Sequence, residues 1–167
     1  MTLLLSAILP LAQAAGDPGA TGLAYLAVGD GMQKMVSFSA AVGQDGAAFG
    51  QIDIHDPVPI SDQDVDGTGD PALAASPSGV ILNAAVNCLA VDGNTAIVGG
   101  QVTRSDVARY VGKKVLLFVE DSTRSQGRFS WGFYEPEPQG AVFLCGIFPW
   151  AAYTPVEIAG GSLQVHP

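Results

Sequence analysis

Five oxygen-bearing residues, Asp62, Asp64, Asp66, Thr68 and Asp70, are spaced as a calcium loop needs them, with Gly67 among them. Calcium is held by roughly six to eight oxygens in a flexible cage. Carboxylates at the first, third and fifth positions, a turn glycine at the sixth, a backbone carbonyl at the seventh and an oxygen at the ninth supply most of that set. Thr68 gives the carbonyl and Asp70 the ninth oxygen. The twelfth position is Leu73 rather than a bidentate glutamate, and Pro57, Pro59 and Pro71 oppose flanking helices. The pattern therefore predicts a free-standing, weak Ca2+ site completed by Asp53, Asp56 or water, and not an EF-hand. The competing reading is a solvated acidic loop.

Other chemistry-bearing residues are sparse. His55 stands between Asp53 and Asp56, but on a strand Asp53 and His55 share one polar face, and no turn motif marks a serine or cysteine nucleophile. The two cysteines, Cys88 and Cys145, and the two histidines lack the spacing of a zinc site. An even cysteine count in an exported chain favours a disulfide; two buried thiols are the alternative. Cys145 with His55 or His166 would make a thiol–imidazole pair, which a disulfide removes. No catalytic residue is assigned.

The elements that must position these residues are strands. Apolar residues recur at every second position, the pattern of half-buried strands. Val36, Phe38, Ala40 and Val42 share a face. Ile52 and Ile54 alternate with Gln51, Asp53 and His55. Val80, Leu82, Ala84, Val86 and Cys88 are expected on one face, with Asn83 and Asn87 across the pleat. Ala96, Val98 and Val102 alternate with Thr95, Gln101 and Thr103, Phe129 and Trp131 with Arg128 and Ser130, and Leu163 and Val165 with Ser162 and Gln164. Leu23 to Val28 and Val115 to Val119 are continuously apolar and read as buried on both sides. Gln44-Asp45-Gly46 and Asp92-Gly93-Asn94 fall between such runs, and Asp-Gly is a hairpin signal.

The reading is eight antiparallel strands near 22–29, 34–43, 47–55, 79–91, 95–104, 113–121, 127–134 and 161–166, with one helical turn after Ser105 as cap. An all-β, up-and-down barrel is preferred over a two-sheet sandwich, because closure removes edge strands. The last strand should close on the first, with Phe38, Val86, Val98 and Trp131 facing a shared interior. The long connections 56–78 and 135–160 are where function is expected.

Sixteen acidic residues against seven basic ones give a net charge of −9, which argues against nucleic acid. Leu3 to Leu11 is a short apolar run followed by Ala12-Gln13-Ala14, the form of a signal peptide cut after Ala14. The expectation is a leader at 1–14 and a single domain at 15–167, secreted, extracellular or in the cell envelope. No other segment is apolar for long enough to span a membrane.

From residue 33 onward the chain resembles a group of uncharacterised secreted bacterial β domains, sometimes labelled post-COAP. The likeness lies in VSFSAAVGQDGAAFGQIDIHD at 36–56, NCLAVDGNTAIVGGQVTRS at 87–105, FVEDS at 118–122 and PVEIAGGSLQVH at 155–166. It implies an exported all-β domain with Cys88 paired to Cys145, and no activity. The chain departs from the group at Asp121-Ser122-Thr123-Arg124 and in the acidic 61–70 insertion.

The expected function is a non-enzymatic binding or structural module of unknown ligand, stabilised by calcium, whose partner is a small ligand, an extracellular partner or a second copy. The rivals are a lipocalin-like carrier of a small apolar molecule and a barrel enzyme using carboxylate acid/base chemistry.

Overall fold

The computed structural model describes residues 17–27, 33–57, 79–122, 126–134, 145 and 154–167. Among the described residues the fold is all-β, nine antiparallel strands in one strongly curled, half-barrel sheet. They are β1 (Gly19–Ala27), β2 (Gln33–Val42), β3 (Ala48–Asp56), β4 (Val80–Asp92), β5 (Thr95–Ser105), β6 (Lys114–Glu120), β7 (Arg128–Tyr134), β8 (Val156–Glu157) and β9 (Gly160–His166). The spatial order is β8-β7-β6-β5-β4-β3-β2-β1-β9, so β1 to β7 form a meander.

The C-terminal segment reaches both ends of that meander. β8 pairs with β7 through Arg128↔Glu157 and Phe129↔Val156. β9 pairs antiparallel with β1, from Tyr25↔Gly160 to Gly19↔His166, as the closure argument requires. Only Ile158 and Ala159 separate the two pairings. Their N–H groups donate to Gly127 O (3.2 Å) and Tyr25 O (2.7 Å). Asp121 adds a side-chain clasp, its Oδ2 accepting from Val165 N–H at 3.3 Å. Gly161 lies at φ +100°, where a Cβ would come 1.9 Å from Leu23 O. Only glycine lets the last strand come this close to β1.

The interior is one apolar cluster drawn from every long strand. Ala24 and Leu26, Val36 and Phe38, Ile52 and Ile54, Leu82 and Val86, Val98 and Val102, Leu117 and Val119, Phe129, and Leu163 all belong to it. Trp131 is half-buried and packs against it. The Phe38 and Phe129 rings are 6.2 Å apart.

Two details of the sequence pattern are corrected. Cys88 does not share the inward face of Val86. A bulge shifts the β4–β5 register between Val86 and Cys88, so Val86 opposes Gly100 and Cys88 opposes Gly99. One extra residue reverses the alternation, so Leu89 and Val91 pack inward while Cys88 and Ala90 join an outer cluster. Leu23 to Ala27 is not buried on both sides: Ala24 and Leu26 are buried, whereas Leu23 and Tyr25 are half-buried and Ala27 is exposed. The run Val115 to Val119, by contrast, is buried throughout.

The helical turn is a 3-10 turn at Ala108–Tyr110, starting later than Ser105. Ser105 Oγ accepts from Val107 N–H at 3.1 Å. Asp106 is occupied elsewhere, accepting from Ile81 N–H at 2.9 Å.

Candidate functional site

The outer surface of the curled sheet is the place to look for a site, because the inward positions are committed to packing. Register sets out which outward residues are neighbours. Thr21, Ser39, Gln51, Ala85 and Gln101 stand side by side across β1 to β5. Beside them runs a second row of Leu23, Ser37, Asp53, Asn83 and Arg104. Flanking these rows are Phe49 on one side and Tyr25, Met35, His55 and Ile81 on the other.

Asp53 is the centre of this array. Gln51 Nε2 donates to both of its carboxylate oxygens, at 2.7 and 2.9 Å. Asn83 Nδ2 donates to its Oδ1 across the β3–β4 ladder. A second irregularity between Asn83 and Ala84 turns Thr103 and Arg104 both to the outside. Thr103 Oγ1 donates to Asn83 O at 3.3 Å.

The surface is indented on both sides of Gln51. One depression of about 300 Å³ is lined by Gly22, Ser37, Phe38, Ser39, Gln51 and Asp53. The other, about 250 Å³, is lined by Gly50, Gln51, Asn83, Ala85, Thr103 and Arg104 among others. Gly22 and Gly50 contribute backbone to these linings, and a Cβ on Gly22 would point inward, 2.7 Å from Leu163 Cδ2. A Cβ on Gly50, at φ +144°, would lie 1.9 Å from Ser39 O. A third, more apolar groove of about 420 Å³ lies beyond Phe49, between Asp17, Val42 and Gly50.

The calcium-loop residues Asp62, Asp64, Asp66, Thr68 and Asp70 lie outside the described residues. Their proposed helpers do not converge. Asp53 faces outward into the array above. Asp56, three residues on, faces inward and is fully buried, with Lys34 Nζ 3.5 Å from its Oδ2. Among the described residues, no group of three or more His, Cys, Asp or Glu side chains gathers as a metal site. His55 is exposed on the outer face.

Cys145 is bonded to Cys88, with Cα atoms 5.7 Å apart, which removes it as a partner for either histidine. The bond sits on the outer side of the sheet, in a cluster with Ile97, Leu116 and Phe118. It therefore fastens Cys145 to the outer wall.

The strand ends Ala27, Asp56, Ser105 and Tyr134 lie at one end of the sheet, whereas Val42, Asp92 and Glu120 lie at the other. Half-buried Lys34, buried Asp56 and Tyr110 lie at the first of these ends. Sequence reasoning missed both the Lys34–Asp56 pair and the Asp53 array. The array was in principle legible, since Gln51, Asp53 and Asn83 were all placed on polar strand faces; only the β3–β4 register brings them together.

Compared with known proteins, the chain matches no family, no curated protein and no solved structure.

Proposed function

We propose that this chain is a secreted, non-enzymatic binding module that works through the outer wall of its sheet over β1 to β5. The observation that carries this reading is the contrast between inside and outside. Apart from the Lys34–Asp56 pair, inward positions from β1 to β9 are filled by buried apolar side chains, which leaves the interior to stability. The outward rows centred on Asp53 hold polar groups in fixed geometry. Export is supported by the Leu3–Leu11 run with Ala12-Gln13-Ala14 and by the Cys88–Cys145 bond, which suits an oxidising compartment. Calcium at Asp62, Asp64, Asp66, Thr68 and Asp70 is part of the same proposal, as a local stabiliser of the connection between β3 and β4.

The deciding experiment is uptake of an environment-sensitive apolar fluorophore by the folded, disulfide-bonded protein. A working outer wall and a filled interior predict no saturable uptake. Stoichiometric uptake, blocked by enlarging an interior residue such as Ala84→Phe, would show a carrier and overturn the reading. Intact-mass measurement of the exported protein checks the leader and bond together: cleavage after Ala14 and two hydrogens fewer than the reduced chain are expected.

A further inference from the structure

We infer that the outer trough centred on Gln51, Asp53 and Asn83 binds a neutral, hydroxyl-rich polymer, a glycan chain lying across the strands. The inference rests on the outer-wall reading and names its ligand class.

The first ground is charge. The chain carries 16 acidic residues and a net charge of −9, yet the outward rows over β1 to β4 are nearly uncharged. Thr21, Ser37, Ser39, Gln51, Asn83 and Ala85 surround a single carboxylate, Asp53. Arg104 at the far end balances it. Charged residues are sparse throughout the chain, at 14%, and on this face amides and hydroxyls outnumber them. Amides and hydroxyls shed water at less cost than charges do, so this face suits a ligand that is polar but neutral. An anionic polymer would be repelled by the rest of the molecule, and a cation finds Asp53 already engaged by two amides.

The second ground is preorganisation. Gln51 Nε2 and Asn83 Nδ2 are both drawn to Asp53, which fixes the two side chains and leaves each amide with a carbonyl oxygen to accept. Ser37, Ser39 and Thr21 add hydroxyls that both donate and accept. Sugar hydroxyls need this mixture of partners, and holding the amides in place beforehand lowers the entropy lost on binding.

The third ground is shape. The depressions of about 300 and about 250 Å³ share Gln51. Together they run from β1 to β5, roughly 19 Å at the usual strand spacing, which fits several consecutive rings better than one small molecule. Exposed apolar side chains border the trough: Phe49, 56% exposed, on one side and Ile81, 52% exposed, on the other. They offer surface to the C–H faces of sugar rings, as apolar walls around a few polar groups do in ligand sites.

The test is retention of the folded protein on insoluble cellulose, xylan and chitin, followed by calorimetric titration with soluble oligomers of whichever polymer retains it. Asn83→Ala removes one fixed amide. Ala85→Trp fills the trough without removing a hydrogen-bonding group, on an exposed strand position where Trp is well tolerated. Glu157→Gln, on β8 away from the trough, is the control. Retention by at least one neutral polymer is expected. Both trough variants should bind about tenfold more weakly, Asn83→Ala through lost hydrogen bonds and Ala85→Trp through lost space, while Glu157→Gln binds as wild type and all three melt within about 4 °C of wild type.

No retention on any neutral polymer, equal retention of the trough variants, or a salt-sensitive preference for an anionic polymer would overturn the proposal. So would light scattering that shows a second copy covering this face. The apolar-fluorophore assay reads the interior and is indifferent to trough variants. A chain that takes up neither fluorophore nor glycan therefore refutes the glycan alone, and one that takes up fluorophore refutes the outer-wall reading beneath it.

Discussion

Two stretches of the same outer surface follow opposite rules. Over β4 to β6 the outward residues are Cys88, Ala90, Ile97, Leu116 and Phe118, and they are buried or nearly so because Cys145 is bonded against them. Over β1 to β4 the outward face centres on Ser37, Ser39, Gln51, Asp53 and Asn83, bordered by Leu23, Tyr25, Phe49 and Ile81, and no described segment lies on it. The strands have the same pairing and the same interior, so the backbone does not make the difference. A covered wall can be apolar because burial rewards it. An open wall must stay wet, and is then available to a partner. Position on the sheet relative to the Cys88–Cys145 bond decides which rule applies.

The largest expected effects lie in the covered wall. Phe118 is 5% exposed, and Phe118→Ala should lower stability by about 3–5 kcal/mol, as large aromatic truncations in cores do. Phe49→Ser on the open side, where the ring is 56% exposed, should stay within about 0.5 kcal/mol. Urea unfolding of the two variants in parallel measures the gap directly. Similar losses would mean that the two walls are not different environments.

Next comes the bond itself. Cys88→Ala/Cys145→Ala opens a loop with a sequence separation of 57 residues, which on the chain-entropy account costs about 4 kcal/mol. The comparison sharpens here, because the variant should also uncover Ile97, Leu116 and Phe118. An apolar dye should bind the double variant and not the wild type. Loss of stability without dye binding would mean that Ile97, Leu116 and Phe118 stay covered without the bond.

The Lys34–Asp56 pair should respond on a somewhat smaller scale. Lys34→Ala removes the ammonium 3.5 Å from the buried Asp56 carboxylate, and because Lys34 is 17% exposed the cost should be about 1–3 kcal/mol. Lys34→Met/Asp56→Leu, which removes both charges, should recover most of that loss. On the open wall, Asp53→Ala strips the acceptor from Gln51 and Asn83. Because water can replace it there, the cost should be about 1 kcal/mol, and a cost above about 3 kcal/mol would make the array part of the core.

Most of the fold was legible because alternation reports burial on one face. Val36, Phe38, Ile52, Ile54, Leu82, Val98 and Leu163 all point inward as their spacing implies, and the Gly93–Asn94 turn, with Gly93 at φ +59°, closes the β4–β5 hairpin. The pattern failed at Cys88, because a bulge inserts a residue without changing composition. It failed at Leu23 and Tyr25, because a run of apolar letters does not say how much of each side chain is covered. The inward Lys34–Asp56 pair was hidden for the reverse reason: charged residues at strand ends read as solvent-facing unless a partner across the ladder is known. The Asp53 array depends on register between strands whose connection is long, and register is a property of the fold.

The smallest effect concerns the connection that leaves the open wall between β3 and β4. It carries Asp62, Asp64, Asp66 and Asp70, whose mutual repulsion an added cation would relieve. Calcium suits the set better than magnesium, since a carboxylate-rich loop without a strict octahedral frame accommodates more oxygens. With Leu73 where a bidentate glutamate would stand, the Kd should fall near 10⁻⁴ to 10⁻³ M, roughly that of extracellular modules. At about 1 mM calcium the linkage relation RT ln(1 + [Ca]/Kd) then gives only ~0.4–1.4 kcal/mol. Asp56 is buried and paired with Lys34, and Asp53 is engaged on the outer face, so neither should contribute a ligand. Asp53→Ala should therefore leave calcium binding unchanged, whereas Asp64→Ala/Asp66→Ala should abolish it. Calorimetric titration with calcium decides between these outcomes. A binding heat lost in Asp53→Ala would draw the open wall and the acidic connection into one site, and equal, negligible heats in all three proteins would leave the connection a solvated acidic loop.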